Sequence, residues 1–427
     1  MGPLHHLTTR IGRTGCWLLV GLLSLTRAAL GQSPEGATYW SHIQPLVARH
    51  CAACHRPGGV GPFSLLAYED VAKRAKFVAK VTEIRYMPPF PADRAFQHYQ
   101  NERGLSAEEI AVIQQWWQAG APEGKRPKKQ GKADENRALI PERKPDLVLR
   151  MRQPYPIKGD GQEDFRYFHL PTGLKEDALV ETIEFVPGNR RLLHHSRIMV
   201  DSTGTMAGID GLSETDPRLA TFQRTPLADE FLYGWVPGND RVSFPAGTAK
   251  RIRAGSDLLV NIHYAPSAKA EEDQSEVRLY FAKTPVTREV KTLTLTENHI
   301  SNQPFLLKAE TKPTFYISYG PIQQGMDLIS VLPHMHLLGQ TFKAVAVTPE
   351  GDVVNLVKID AWDYKWQMTY RFAEALHLPK GSIILVEASY DNTSENPENP
   401  FRPAKDVGYG WNSTNEMMNL VLYYTPR

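Results

Sequence analysis

Leu258-Leu-Val-Asn-Ile-His-Tyr264 alternates its faces with period two, and that reading sets the class of most of the chain. Similar short runs recur: Asp327-Leu-Ile-Ser-Val-Leu332, Lys343-Ala-Val-Ala-Val347 and Glu416-Met-Met-Asn-Leu-Val-Leu-Tyr-Tyr424. Gly, Pro and Asn turns separate them, so from Asp146 onward the pattern is many short strands. Roughly 280 residues of this kind are generous for one β-sandwich and comfortable for two packed together. No internal repeat is visible.

The whole chain has 427 residues, enough for two or three domains. It is 41% hydrophobic and 22% charged with no low-complexity tract, and its 32 prolines suit a loop-rich, β-heavy protein. A formal charge of +2 provides no basic field, so nucleic acid is not an expected partner. Three cysteines, Cys16, Cys51 and Cys54, exclude a disulfide framework.

Arg10 and Arg13 precede the ten-residue apolar run Cys16–Leu25, and Ala29-Leu-Gly31 supplies small residues at −3 and −1. The run is half the length of a spanning helix, so residues 1–31 read as a signal peptide cleaved before Gln32. An uncleaved anchor is the other reading. A lipoprotein fits less well, because Cys16 starts the apolar run instead of ending it. Cleavage removes three arginines and no acid, leaving 46 basic against 47 acidic residues and no integral membrane segment.

Cleavage also removes Cys16. The remaining pair lies in Cys51-Ala-Ala-Cys54-His55, the attachment pattern of a c-type haem. Two thiols add to the vinyl groups and the adjacent imidazole becomes the proximal iron ligand. A thioredoxin-like redox pair is the competing reading, disfavoured by the following His and the lack of a βαβ pattern. Met87, in Met87-Pro-Pro89, is the expected second axial ligand, with His98 as the competitor. Ser106-Ala-Glu-Glu109 reads as a capping box, followed by the apolar stripe Ile110, Ile113, Trp116 and Trp117 and ended by Gly120. With these features residues 38–122 resemble a class I cytochrome c domain. The boundaries expected are a haem domain over 32–122 and a basic linker over 123–145, in which Lys125, Arg126, Lys128, Lys129 and Lys132 cluster. One covalent haem c and an export signal together imply a bacterial periplasm.

The strand-rich region carries clustered histidines: His194-His195, His263, and His334-Met-His336. Residues i and i+2 share a strand face, so His334 and His336 can point at one metal ion. His194 and His195 can share an ion only where the backbone bulges. The same parity places Met418 with Leu420 and Leu422 in a core, leaving Met417 free to be a ligand. Imidazole with thioether and no thiolate favours copper over structural zinc.

Leu193-His-His-Ser196, Val260-Asn-Ile-His-Tyr264, His334-Met-His-Leu-Leu-Gly339 and Asn415-Glu-Met-Met-Asn-Leu420 occur in that order. On these motifs residues 146–427 resemble the copper type II, ascorbate-dependent monooxygenases, which include peptidylglycine α-hydroxylating monooxygenase and dopamine β-monooxygenase. The resemblance implies two copper ions. His194, His195 and His263 would hold the electron-accepting copper; His334, His336 and Met417 would hold the catalytic, oxygen-binding one. It also implies two jelly-roll-like sandwiches, over 146–290 and 291–427, facing a cleft. The expected fold is therefore multidomain, a small all-α cytochrome c domain followed by an all-β region.

The implied reaction inserts one atom of O2 into a C–H bond of an organic substrate, with the haem as built-in donor and an upstream electron donor behind it. Two other readings are a haem/copper electron-transfer protein without oxygen insertion and a non-catalytic β-sandwich binding module. Peptide-amidating members carry an Arg two positions before His-x-His and a Tyr four after the ligand Met. Here those positions are Leu332 and Val421, so peptide amidation is not expected. Tyr233, Trp235, Trp362 and Trp366 are candidate pocket aromatics, with core packing as their alternative role.

Overall fold

The computed structural model describes residues 36–57, 59–127, 143–219, 231–237, 241–410 and 412–427. The signal peptide, and Lys128, Lys129 and Lys132 of the linker, lie outside the described residues.

Near the N-terminus a wide helical turn, Tyr39–Ile43, runs into α1 (Gln44–His50), followed by α2 (Tyr68–Ala72), α3 (Ala75–Glu83) and α4 (Ala107–Gln118). Ser106 caps α4 by accepting from Glu109 N while the Glu109 carboxylate accepts from Ser106 N, the reciprocal capping box that its pattern predicts. Tyr39, Ile43, Val71, Val78, Ile113 and Trp116 form a small apolar cluster of their own. This is a helical patch and not the clear cytochrome c bundle expected. Helices of five to twelve residues are marginal alone, and Pro57-Gly-Gly-Val-Gly-Pro62 and Pro88-Pro-Phe-Pro91 interrupt the helical path between them. The linker's start is pinned, not merely solvated: Arg126 lies 4.8 Å over the Trp40 ring, and Trp40 Nε1 donates to Glu123.

The expected pair of jelly-roll-like sandwiches is overturned by the strand order. The all-β region is a four-bladed, propeller-like set of open, mainly antiparallel sheets. The first sheet orders Leu147–Arg150, Glu276–Phe281, Ala178–Val186, Thr248–Ile252 and Arg288–Glu289, with Arg241–Ser243 also on Ala178–Val186. The second orders Leu212–Ser213, Asp164–Leu170, Asp257–Tyr264, Leu193–Asp201 and Phe231–Trp235. The third runs Lys291–Leu295, Asn419–Pro426, Met326–His334, Tyr370–Leu378, and the fourth Thr314–Tyr319, Ile383–Tyr390, Gly339–Val347, Val353–Ile359. The exception to antiparallel pairing among these is Arg288–Glu289 against Thr248–Ala249. Alternation along a strand fixes which face is buried, but not which distant strand it will pair with.

One apolar cluster lies between the first and second sheets, built on Ile183, Phe185, Ile198, Leu259 and Leu279. Another lies between the third and fourth, built on Leu328, Phe342, Leu356, Ile384 and Leu420. They meet. Ile329, Val421 and Tyr423 of the third sheet reach into the first cluster, and Val236 reaches into the second.

The segment after the Met-Pro-Pro turn belongs to the second cluster. Ala92 bridges Ile359 and Tyr99 bridges Phe372. Asn101 donates to the Thr369 carbonyl at 2.8 Å and accepts from Arg371 N at 2.9 Å, and Asp93 pairs with Lys358 at 3.2 Å. The helical patch is thereby fastened to the C-terminal sheets.

Asp327 closes the far end of the third sheet. Burial alone would raise its carboxyl, but hydrogen bonds from Arg288, Arg427 and His377 outweigh burial and hold it at about 2, against an ordinary 3.8. A depressed carboxyl stabilises the fold above its unfolded value and loses that contribution as pH falls through the folded one. Asp327→Asn is expected to lower unfolding stability by about 1–2 kcal/mol near pH 6, allowing for the exposed partners. Urea unfolding followed from pH 6 downward should show the gap from wild type closing between about pH 4 and pH 2.

Candidate metal centres

Leu193–Asp201 pairs with Asp257–Tyr264 so that His263 faces His195 while Tyr264 faces Leu193. His194 is the extra residue of a β-bulge, the distortion that lets adjacent side chains turn to one side. Its Nδ1 lies 3.2 Å from Nδ1 of His195 and 3.2 Å from Nδ1 of His263. Separations near 3.2 Å suit three nitrogens around an ion at about 2.0 Å, and the triad is a cluster able to hold a metal. Burial, and then neighbouring His263, pull His194 down to about 4; burial and the same neighbour take His195 well below its ordinary value. Both are therefore neutral at pH 7, the state in which imidazole ligates. Phe165 stacks on His263 at 4.0 Å, and Glu163 Oε1 stands 3.4 Å from His263 Nε2. Ser413 donates to the other Glu163 oxygen at 2.7 Å, linking the C-terminal region to this site.

The second set sits at the end of Met326–His334. The rings of His334 and His336 lie 5.0 Å apart and nearly perpendicular. His334 Nδ1 bonds Gln367 Oε1, and His336 Nδ1 bonds the Asn415 carbonyl at 3.1 Å. Such contacts to the far nitrogen fix tautomer and ring orientation, leaving Nε2 of each ring for a metal. The ladder's last pair is His334 with Asn419, and Met417 lies two residues before Asn419 on the partner segment. Met417 is 1% exposed yet outside the apolar clusters, whereas Met418 packs with Leu420 and Leu422 in the second one. Glu416 ties the two chain segments together: its carboxylate accepts from the backbone N–H groups of His336 (2.9 Å), Leu338 (2.7 Å) and Met417 (3.2 Å). Burial pushes this carboxyl up to about 8 against those three donors. Trp362 Nε1 donates to the His336 carbonyl at 3.1 Å.

The two sets are neighbours. The Tyr364 ring lies 5.6 Å from the His194 ring and 6.0 Å from the His336 ring. His195 and His334 line one cavity of about 70 Å³, with Trp235, Leu332, Asn419 and Val421 in its walls.

At the helical patch Cys51 and Cys54 are both half-buried and form no disulfide. Burial, and then Cys54, push the Cys51 thiol up to about 12. His55 Nδ1 lies 3.1 Å from the Phe63 carbonyl, which again leaves Nε2 outward. The chain folds tightly over the motif: a Cβ at Gly61 would fall 2.6 Å from His55 Nδ1. Phe63 stacks near His55 at 4.9 Å and meets Phe77 at 6.4 Å. Phe77, Ile84 and Tyr86 are all about half exposed. Met87 is half-buried just past α3, with its N–H on the Val81 carbonyl. His98 is exposed on the docked segment and paired with Glu102 at 3.1 Å.

Glu416, Gln367, Tyr364 and Glu163 escaped the sequence reading. Only Glu416, a lone acid beside an otherwise apolar strand, carried a local signal. Of the candidate aromatics, Trp235 lines the cavity, Tyr233 is buried in the first cluster and Trp362 braces His336. Trp366 Nε1 is buried with no hydrogen-bond partner among the described residues.

The β scaffold carries a histidine triad that could hold a metal ion, consistent with copper. Its C-terminal part, residues 307–427, matches the family model described as copper type II ascorbate-dependent monooxygenase, C-terminal domain. No curated protein matches the chain by sequence. Among solved structures, the major capsid protein P2 of bacteriophage PM2 is 8% identical, with 65% of this chain and 96% of that chain covered and a TM-score of 0.27. An allantoicase is 11% identical, with 57% and 83% covered and a TM-score of 0.18. The infectious bursal disease virus VP2 subviral particle is 9% identical, with 67% and 74% covered and a TM-score of 0.17. Likenesses this faint bear on neither fold nor chemistry. Among the described residues no helix is long and apolar enough to cross a membrane.

Proposed function

We propose that the protein is an exported, periplasmic copper- and haem-containing monooxygenase that hydroxylates a C–H bond with O2, the haem region serving as donor to the copper centres. The observation that carries this reading is the neighbourhood of two candidate ligand sets, His194/His195/His263 and His334/His336/Met417, with His195 and His334 lining one cavity and Tyr364 in ring contact with both sets. The C-terminal family match supports it. Copper bound at the two sets supplies O2 activation and electron storage, and a haem held by Cys51, Cys54, His55 and Met87 supplies electrons.

The chain's own part is placement. Gln367 and the Asn415 carbonyl aim His334 and His336, and Glu416 ties the His336, Leu338 and Met417 backbones together by three hydrogen bonds. Tyr364 stands between the sets, its ring 5.6 Å from that of His194 and 6.0 Å from that of His336. Burial keeps His194 and His334 neutral, so protons do not compete for their ring nitrogens until pH falls to about 4.

Metal analysis of purified protein is expected to find about one haem and about two copper ions per chain. Met417→Ala should lose the copper of its own set while keeping the triad's copper and the haem. Copper uptake without hydroxylated product in the presence of O2 and reductant would favour an electron-transfer protein instead.

A further inference from the structure

His263 Nε2 is buried and, among the described residues, makes no hydrogen bond. Native proteins leave few such atoms orphaned, so its surroundings identify the group that serves it. Glu163 Oε1 stands 3.4 Å away, just beyond a good bonding distance, and a small side-chain rotation closes the gap. The carboxylate is held in that direction. Ser413, itself buried, donates to Glu163 Oε2 at 2.7 Å from 250 positions away in the chain, leaving Oε1 for the ring. No lysine or arginine among the described residues pairs with Glu163, so it is not one end of an ordinary surface ion pair. Nor is it placed as a ligand. It sits at Nε2, whereas His194 approaches the ring's other nitrogen, Nδ1, at 3.2 Å. Phe165, on the strand that Glu163 immediately precedes, stacks on the same imidazole at 4.0 Å. One short stretch of chain thereby covers a face and an edge of the His263 ring.

We infer that Glu163, braced by Ser413, is the positioning residue of the triad: it accepts a hydrogen bond from Nε2–H of His263 and so fixes the tautomer whose Nδ1 is bare for the metal. An ionised carboxylate only accepts, so the nitrogen that faces it carries the hydrogen. The inference rests on the reading of the triad as a copper site and adds to it the group that sets the ring's orientation. It also makes the triad dependent on the other half of the β region. Ser413 lies on the segment whose Asn415 carbonyl and Glu416 carboxylate bond His336, so five consecutive residues brace both ligand sets.

The test is copper binding by the full-length protein, read by competition with a chelator and by electron paramagnetic resonance of the oxidised ion. The triad's signal is the one that His263→Ala removes. Glu163→Gln keeps the shape of the side chain, so a packing role alone predicts wild-type behaviour. Positioning predicts copper about tenfold weaker at the triad, with an altered hyperfine splitting. Glu163→Ala, with no acceptor left, should approach a loss of about 100-fold. Ser413→Ala should lose about threefold, the effect of one modest hydrogen bond. Copper at His334, His336 and Met417 should be unchanged in Glu163→Gln. Wild-type affinity and hyperfine splitting in that variant, or an equal loss from both ligand sets, would overturn the inference while leaving the copper reading in place. A wild-type protein with no copper at the triad would overturn both, so the two failures are told apart before any variant is made.

Discussion

His263→Ala is expected to cut copper content from about two ions per chain to about one, and to weaken the triad's metal affinity by at least about 100-fold. His263 is the rigid member of the set. It sits 1% exposed on a regular strand, stacked face to face on Phe165, while His194 depends on the bulge to reach the same point. Without it two imidazoles remain, in a pocket too buried for water to complete the shell at no cost. Hydroxylation should fall in parallel, because the electron-storing site is lost, while His334, His336 and Met417 keep their ion. Copper quantification together with electron paramagnetic resonance of the oxidised protein distinguishes one population from two. A variant that retains the full copper complement would remove His263 from the ligand set.

The second large effect is expected at the other metal. Replacing Cys51 and Cys54 together by Ser should abolish covalent haem, read as loss of haem stain on a denaturing gel. The fold of the β sheets should persist, since the helical cluster stands on Tyr39, Val71, Ile113 and Trp116 and takes Cys51 only at its margin. Turnover driven by a soluble reductant acting directly on the coppers should survive, whereas turnover routed through haem should vanish. In the wild type, pre-reduced haem should reoxidise faster when copper, substrate and O2 are all present. If copper makes no difference to that rate, the haem is not the donor.

What could be read from the sequence follows from the range of each interaction. Period-two alternation is local, so the β class and the core side of Met418 were legible in consecutive residues. Sheet order is not local: Arg150 pairs with Glu276 across 126 positions, and nothing in either strand names the other. That is why two jelly-roll-like sandwiches were expected and a four-bladed set of open sheets was found. The ligand types were legible because imidazole and thioether are chemically distinctive. The groups that orient them were not, because Gln367, Glu163 and the Asn415 carbonyl act through position alone. The segment 92–101 read as an interior part of the haem domain because its few apolar residues, Ala92 and Tyr99 among them, show no periodicity that betrays a partner.

That segment changes what the connection between Arg126 and Arg143 is for. If the helical patch were moored only by this stretch, its length would set how often haem and copper meet. The patch is held by a clasp instead, through Ala92 on the fourth sheet and Tyr99 on the third, Asn101 on Thr369 and Arg371, and Asp93 on Lys358. Severing the chain between Arg126 and Arg143 should therefore yield complementing fragments that stay together, and lengthening it should leave the rate of electron delivery nearly unchanged. Evolution is then free to vary the connector, while each residue of the clasp answers to a partner more than 250 positions away in the chain.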